Sequence, residues 1–371
     1  MSFEIKGWCP GAHRPMLSGD GYVLRVRPRL AQLSADQALG LCQAAQRHGA
    51  GLIDATNRAN LQVRGVPGDA VMPLLAELGA LGLLDPDEAT ETRRNIVLAP
   101  DWVQGDETEW LAMELAARLN ELPALPPKMG FAIDAGFAPV LASVPGDFRI
   151  ERGVSGRLIL RAEGRALGTP LTEMREIEAL IRLAWWFVNS GGRDAGRMVR
   201  HKAPLPDWAA ETEAPAPART SLRPGAHPMG AVHGLAFGQA NAADLAAAIT
   251  ASGATAIRVT PWRALLLMAA TPGAQPGLEW DGNAPVLRAD ACPGAPFCPQ
   301  ASVETRDLAR ALAPHFAGSL HVSGCAKLCA RPSPADVTLV GDGGTFTLSR
   351  PDAPPLTGLT PAQVRVQFGV A

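Results

Sequence analysis

Lysine is nearly absent from this chain: of 34 basic residues only Lys6, Lys128, Lys202 and Lys327 are lysine, and the rest are arginine. Charge of either sign is sparse, at 19% of residues, and 36 acidic side chains leave a formal net charge of -2. So little charge excludes extended acidic or basic disorder. Near neutrality also argues against a protein that coats nucleic acid by bulk charge. Long apolar runs are missing too. The longest stretches, around 264–270 and 179–188, are too short or are interrupted by Arg182, so no membrane span is expected. Residues 1–10 lack the apolar segment of a secretory signal, and the expected location is the cytoplasm. Cysteines in that compartment seldom form disulfides. The six cysteines therefore point to a metal, a cluster or plain burial. The arginine excess accompanies much alanine, glycine and proline, and reads as compositional bias rather than as a binding surface.

What is present is ample for packed cores: 47% hydrophobic residues in 371, a length that suggests two or three modules. The clearest organisational signal is an internal repeat. Pro10-Gly11-Ala12-His13 reappears as Pro224-Gly225-Ala226-His227. Each copy leads into a short apolar run, 21–26 and then 234–238, and each run is followed by a helical segment that ends at a glycine. The first helix is expected over 34–48, with Ser34 and Gln37 as a capping box and Gly49 as its stop; the second covers 242–252 and stops at Gly253. A strand and a Thr-plus-Arg segment come next in both copies, Ala55-Thr56-Asn57-Arg58 and Val259-Thr260-Pro261-Trp262-Arg263. The threonines align from the glycine stops, whereas the arginines are one position apart. Four successive features in the same order indicate duplication.

Between the copies, 108–120 and 172–189 read as helices, the second capped by Thr172 and ended at Gly191-Gly192. Segments 129–134, 148–152 and 157–162 read as strands, and a Pro/Ala/Glu stretch over 203–218 reads as a linker. Beyond the second copy lie a helix over 303–313 and a hairpin of 337–340 with 345–349, turned by 341–344. A small module followed by a larger one, twice over and with the second larger module shortened, favours an α+β fold over a doubly wound sheet.

Four cysteines fall close together, as Cys292-x5-Cys298 and Cys325-x3-Cys329, in loops rich in glycine and proline. Four thiolates suit zinc or an iron–sulfur cluster, and unligated buried thiols are the bland alternative. Structural zinc usually takes tighter Cys-x2-Cys pairs, so the wide loops favour a [4Fe–4S] cluster. Cys42 shares an apolar helix face with Ala38, Leu41 and Ala45 and is expected to be a buried thiol. Cys9 sits in a Gly/Pro loop near His13, most simply as a loop residue. No His-x-His or two-His-one-carboxylate spacing marks a mononuclear iron. His13, His227 and His321 are its only, weak, candidates. His48 is read as a helix C-terminal residue, Trp185 and Trp186 as core, and no residue stands out as catalytic.

Cys-x5-Cys followed by Gly-Cys-x3-Cys resembles the cluster motif of the sirohaem-dependent sulfite and nitrite reductases. Three further stretches are similar in order. Thr56-Asn57-Arg58-Ala59-Asn60-Leu61-Gln62 resembles that family's Thr-x-Arg-Gln segment, Arg93-Arg94-Asn95-Ile96 its Arg-Asn motif, and Leu125-Pro126-Pro127-Lys128-Met129-Gly130 its Pro-x-Lys-x-Lys segment. The last departs from the pattern, with Gly130 in place of the second lysine, and Ala326-Lys327-Leu328 replaces the asparagine usual between the final cysteines. Gly7-Trp8-Cys9-Pro10-Gly11 with Ser18-Gly19-Asp20-Gly21, and His321-Val322-Ser323-Gly324-Cys325-Ala326-Lys327, resemble the precorrin-3B synthase family, which shares the reductase fold.

The resemblance implies two ferredoxin-like half-domains and two larger mixed modules around a pseudo-two-fold. The expected boundaries are 1–78 (half-domain), 79–202 (α+β domain), 203–221 (linker), 222–282 (half-domain) and 283–371 (cluster domain). It implies a cluster on Cys292, Cys298, Cys325 and Cys329, a mononuclear non-haem iron, and O2-dependent hydroxylation of precorrin-3A at C20 with γ-lactone closure in aerobic cobalamin biosynthesis. An electron donor is implied as well, either NAD(P)H through a reductase or a ferredoxin. Arg58, Arg94, Lys128 and Arg263 would hold tetrapyrrole carboxylates, for which fixed guanidinium forks are suited. The alternatives are a sirohaem nitrite or sulfite reductase and a zinc-stapled, non-enzymatic binding module.

Overall fold

The computed structural model describes residues 10–331 and 333–370. Cys9 and the first residues of its motif lie outside them. Helix Ala35–His48 starts where the sequence placed it: the Ser34 side chain accepts from the Gln37 N–H while Gln37 reaches back to the Ser34 N–H. Its apolar stripe of Ala38, Leu41, Cys42 and Ala45 is buried. Gly49 ends it in an extended conformation rather than a left-handed one. In the second copy, helix Ala242–Ser252 does end on a left-handed glycine, Gly253, with φ 68°.

The first half contributes strands β1 (Met16–Ser18), β2 (Gly21–Val26), β3 (Gln32–Ser34), β4 (Leu52–Ala55) and β5 (Leu61–Val66), then β6 (Ile96–Leu98), β7 (Phe131–Asp134), β8 (Phe148–Arg152), β9 (Leu158–Ala162) and β10 (Thr169–Pro170). The second contributes β11 (Gly225–His227), β12 (Gly230–Gly234), β13 (Gln239–Asn241), β14 (Ala256–Val259) and β15 (Ala264–Met268), then β16 (Ala289–Ala291), β17 (Leu320–Ser323), β18 (Val337–Asp342), β19 (Thr345–Arg350) and β20 (Ala353–Leu359).

Two sheets of the same design result, β1-β2-β5-β4-β13 and β11-β12-β15-β14-β3. Each takes its last strand from the other half: β13 pairs with β4 and β3 pairs with β14. This reciprocal exchange, with helices Ala35–His48 and Ala242–Ser252 packed on one another, welds the copies into one body around a pseudo-two-fold. The larger modules repeat as closely. Sheets β10-β9-β8-β7-β6 and β16-β17-β18-β19-β20 each have two parallel pairings followed by two antiparallel ones. The second module is thus shortened in its connections and not in its sheet. It packs its own core around Ala309, Leu312, Val322, Leu339 and Phe346. The fold is α+β and duplicated, as expected.

Local readings differ in places. The second apolar strand is β12, over Gly230–Gly234, and 234–238 is a turn with Phe237 at φ 57°. Helix Glu176–Asn189 begins after Arg175 without a side-chain cap; Thr172 lies three residues before that cap position, in a turn where its carbonyl accepts from the Arg175 N–H. The stretch read as a linker is docked: Gly153 bridges to Pro215 and Gly168 to Glu213, whose buried carboxylate accepts from the Ser155 N–H at 2.9 Å. Trp186 packs against the core, but Trp185 is 47% exposed. His48 stands in the last helical turn, as read, with its Nε2 2.8 Å from Glu77. The hairpin forms as read, its two-residue turn Gly343-Gly344 taking positive φ at both positions (54° and 86°), a geometry that glycine adopts without strain.

No helix is long and apolar enough to cross a membrane, among the described residues.

Candidate functional site

The duplication creates two equivalent interfaces, each between the polar face of a half-domain sheet and one of the larger modules. They have diverged. On the second sheet Arg258 of β14 faces Gln32 of β3, and its Nε donates to the Gln32 side-chain oxygen at 2.7 Å. The same guanidinium donates to the Pro100 carbonyl at 3.0 Å and lies 3.7 Å over the Trp102 ring. Trp102 is buried, so the interface is plugged. On the first sheet the corresponding pair is Asp54 and Gln239. Here the row Arg25, Gln62, Asp54, Gln239 runs straight across four strands. Gln239 Nε2 donates to Asp54 at 2.7 Å, and Arg64 donates to both oxygens of Asp20 at 3.0 and 2.9 Å. A cleft of about 640 Å³ remains, bounded by Arg64, Gln239, Phe237, Arg306 and the loop from Pro293 to Phe297.

That loop carries the first cysteine pair. Cys292 directly follows β16, and Cys325 lies two residues beyond β17, its parallel neighbour in register. Both therefore emerge at the carboxyl ends of adjacent parallel strands, where open mixed sheets place ligands. Cys298 and Cys329 follow on the two loops. The five described cysteines are all free thiols. The Gly324 N–H points at Cys292 Sγ, 3.2 Å away, and Thr305 Oγ1 donates to the Cys292 carbonyl at 2.5 Å. Cys329 is exposed at the rim, yet enough protein surrounds its sulfur for desolvation to push the thiol up. Lys327 pulls it down, and Cys292, Cys325 and Cys298 add to the rise, so the four sulfurs share one electrostatic neighbourhood. Cys42 belongs elsewhere: it is fully buried, and burial alone pushes its thiol up to about 12. Among the described residues no three His, Cys, Asp or Glu side chains converge tightly enough to hold a single metal ion.

The cysteine loop rests on the first half-domain. The Phe297 carbonyl accepts from Ser18 Oγ at 2.9 Å and from the Gly19 N–H at 3.2 Å. A side chain at position 19 would meet the Pro296 carbonyl at 2.6 Å, which accounts for the glycine in Ser18-Gly19-Asp20-Gly21.

The four basic residues read from the sequence are dispersed. Arg58 and Lys128 meet, Arg58 Nη2 donating to the Lys128 carbonyl at 2.5 Å. Arg94 forms a bidentate pair with Asp85, both bonds 2.8 Å, and also donates to the Arg27 carbonyl. Arg263 is 2.8 Å from Asp290, whose other oxygen takes Arg331 at 2.8 Å. The one-residue offset between the copies is real. Thr56 and Thr260 close identical turns, N–H to the carbonyls of Asn60 and Ala264, and the left-handed position is Ala59 in one (φ 53°) and Arg263 in the other (φ 55°). Trp262, not Arg263, is the counterpart of Arg58. Sequence reading missed Arg64 and Arg306, because neither lies in a motif; only the strand register and the helix start at Arg306 bring them to the cleft. The histidines lie apart. His13 Nε2 is 2.7 Å from the Asp85 carbonyl, and His227 Nδ1 accepts from the Met229 N–H at 3.2 Å. His321 is buried opposite Asp290.

In the first module, the position of Ser323 at the end of β17 is taken by Asp134 at the end of β7. Its Oδ2 accepts from Val140 and Leu141 N–H groups at 2.7 and 2.6 Å, while Oδ1 is enclosed without a partner among the described residues. Burial lifts this carboxyl to about 6, against the two N–H groups that pull it down. Folded Asp134 thus keeps its proton to higher pH than the unfolded chain does. Stability is expected to fall as pH rises from about 4 to about 6 and to level off above. Asp134→Asn should flatten that part of the pH profile and raise stability at neutral pH, as read by denaturant unfolding at several pH values. An unchanged slope would clear Asp134 of the effect.

Comparison with known proteins agrees with this architecture. The model of the nitrite/sulfite reductase ferredoxin-like half domain matches residues 14–81. The NirA protein of Mycobacterium tuberculosis superposes with a TM-score of 0.59 at 17% identity, over 92% of this chain and 78% of that one, a likeness of fold. The duplicated architecture is that of the nitrite and sulfite reductases. A precorrin-3B synthase from Sinorhizobium sp is 32% identical across 384 aligned positions, covering 91% of this chain and 81% of the relative. The chain belongs to the precorrin-3B synthase family, enzymes of oxidoreductase type.

Proposed function

We propose that this chain hydroxylates precorrin-3A at C20 with O2 and closes a γ-lactone from the ring A acetate. One oxygen atom enters the substrate and the other leaves as water, with two electrons from an external donor, either NAD(P)H through a reductase or a ferredoxin. The observation that carries the reading is the asymmetry of the two interfaces: Trp102 fills one, and the other keeps a cleft walled by the loop that joins Cys292 to Cys298. Cys292, Cys298, Cys325 and Cys329 suit a [4Fe–4S] cluster by number, by donor type and by the backbone N–H already aimed at one sulfur. When bound, such a cluster supplies electrons one at a time.

The protein's own part is to bind and orient. Precorrin-3A carries many carboxylates, and guanidinium forks engage them bidentately. Arg58 and Lys128 are proposed as one such anchor, since they already meet. Arg94 and Arg263 would serve only by exchanging Asp85 and Asp290 for a substrate carboxylate. Gly130 distinguishes this chain from the reductase pattern. A Cβ there would lie 2.9 Å from Asn95 Nδ2 and 3.0 Å from its carbonyl oxygen, so no lysine fits without a shift. The loss of that cation suits a site whose tetrapyrrole is substrate rather than cofactor.

Anaerobic incubation with precorrin-3A, followed by O2 and a reductant, should yield the hydroxylactone, and the purified protein should show a broad brown shoulder without Soret bands. Strong haem-like bands that survive purification would replace this reading with a sirohaem reductase; one zinc per chain without iron or sulfide would replace it with a structural zinc site. Arg58→Ala is expected to weaken precorrin-3A binding by roughly tenfold or more, the worth of a charge-assisted pair, while leaving the visible spectrum unchanged. Unaltered affinity would remove Arg58 from the site.

A further inference from the structure

Arg306 opens the helix Arg306–Leu312 directly after Thr305, the residue whose hydroxyl holds the Cys292 carbonyl. Its side chain lines the inner wall of the open cleft, and its Nε is enclosed without a partner among the described residues. The charged groups that face it are Asp54, Arg64, Cys292 and Asp20. Neither carboxylate serves its Nε: both oxygens of Asp20 are held by Arg64, and those of Asp54 by Arg64 at 3.4 Å and Gln239 at 2.7 Å. A guanidinium whose enclosed Nε faces no acceptor is costly unless a negative charge comes to it. The remaining neighbour is Cys292, one of the four paired cysteines. A four-iron core bound by four thiolates is negatively charged overall and becomes more so on reduction.

We infer that Arg306 is a positioning residue that sets the electron affinity of the cluster site, its fixed positive charge favouring the reduced state and thereby raising the reduction potential. This rests on the reading that the four cysteines hold a [4Fe–4S] cluster. The physical basis is the Coulomb interaction in a weakly polar interior, one of the terms that tune such potentials. Burial also pulls the guanidinium's own pKa down, yet it stays charged at neutral pH. Arg64, anchored to Asp20 and Asp54, keeps those two carboxylates from cancelling the charge.

The test is a redox titration followed by electron paramagnetic resonance, on full-length protein reconstituted anaerobically with iron and sulfide, comparing wild type with R306K and R306Q. Iron and sulfide content is measured first. Wild-type protein that takes up neither would sink the cluster reading itself. With wild type loaded, the expected result is that R306Q loads fully and its midpoint moves to more negative potential, while R306K stays near wild type. R306Q that binds no iron while R306K binds a full complement overturns the inference, the charge then holding the group in place rather than setting its potential. Full loading of R306Q with an unchanged midpoint overturns the inference. Equal shifts, or equal loss of iron, in both variants also overturn it, because the side chain's shape would then matter and not its charge.

Discussion

Cys325→Ser is expected to abolish bound iron and sulfide, the brown absorbance and all turnover of precorrin-3A, whereas Cys42→Ser leaves each of them in place. The two thiols differ in every respect that decides ligation. Cys325 follows the carboxyl end of a parallel strand beside Cys292 and is partly exposed. A serine hydroxyl is a poor substitute for thiolate toward iron, and one missing corner leaves the cluster open to loss. Cys42 sits among Leu41, Ala38 and Ala45 with its thiol pushed up to about 12, so it is protonated and inert at neutral pH. Its replacement should cost stability only, by about 1–3 kcal/mol for a hydroxyl buried without a partner. Metal analysis with a visible spectrum reads both variants. Equal loss of colour in the two would mean that the quartet had been chosen wrongly.

The second large effect concerns the closed cleft. Trp102→Ala is expected to destabilise the protein by about 3–5 kcal/mol, the range for truncating a large buried aromatic. Trp102 fills the space that its counterpart interface leaves empty, donates from Nε1 to the Leu30 carbonyl at 3.3 Å and supports the buried Arg258 guanidinium. Arg258, brought down to about 10 chiefly by burial, would lose its aromatic face and gain no partner. Denaturant unfolding measures the loss, and cluster content should not change, because the cysteines lie at the other interface. A loss under about 1 kcal/mol would show that the interface collapses readily and that Trp102 is not its plug.

Both effects turn on pairs far apart in sequence, and this marks where sequence reading stops. The capping box at Ser34 and Gln37, the stop at Gly253 and the Gly343-Gly344 turn were legible because each rests on residues within a few positions of one another. The failed cap at Thr172 is also local, but a turn precedes the helix there and moves its start to Glu176. The docked 203–218 stretch was illegible, since Glu213 and Pro215 look solvent-borne until Ser155 and Gly153 are brought to them. Arg64 and Arg306 looked like two more arginines in an arginine-rich chain. The burial of Arg64 and the enclosed Nε of Arg306 single them out, and enclosure is not a local property.

The sequence by itself determined that this is a duplicated α+β chain, with one quartet of cysteines on glycine-rich loops and one thiol on a helix face. Spacing, capping and the order of repeated features carry that information along the chain. Only the tertiary structure decided that the halves exchange edge strands, that Arg263 is not the counterpart of Arg58, and which of two equivalent clefts stays open. Those outcomes depend on contacts such as Gln239 to Asp54, Arg258 to Gln32 and Ser18 to Phe297, separated by 185, 226 and 279 residues. A side chain's role at such a contact is set by what folding brings opposite it: a tryptophan closes one copy of the interface, while among the described residues the other keeps a cleft beside the loop that joins Cys292 to Cys298.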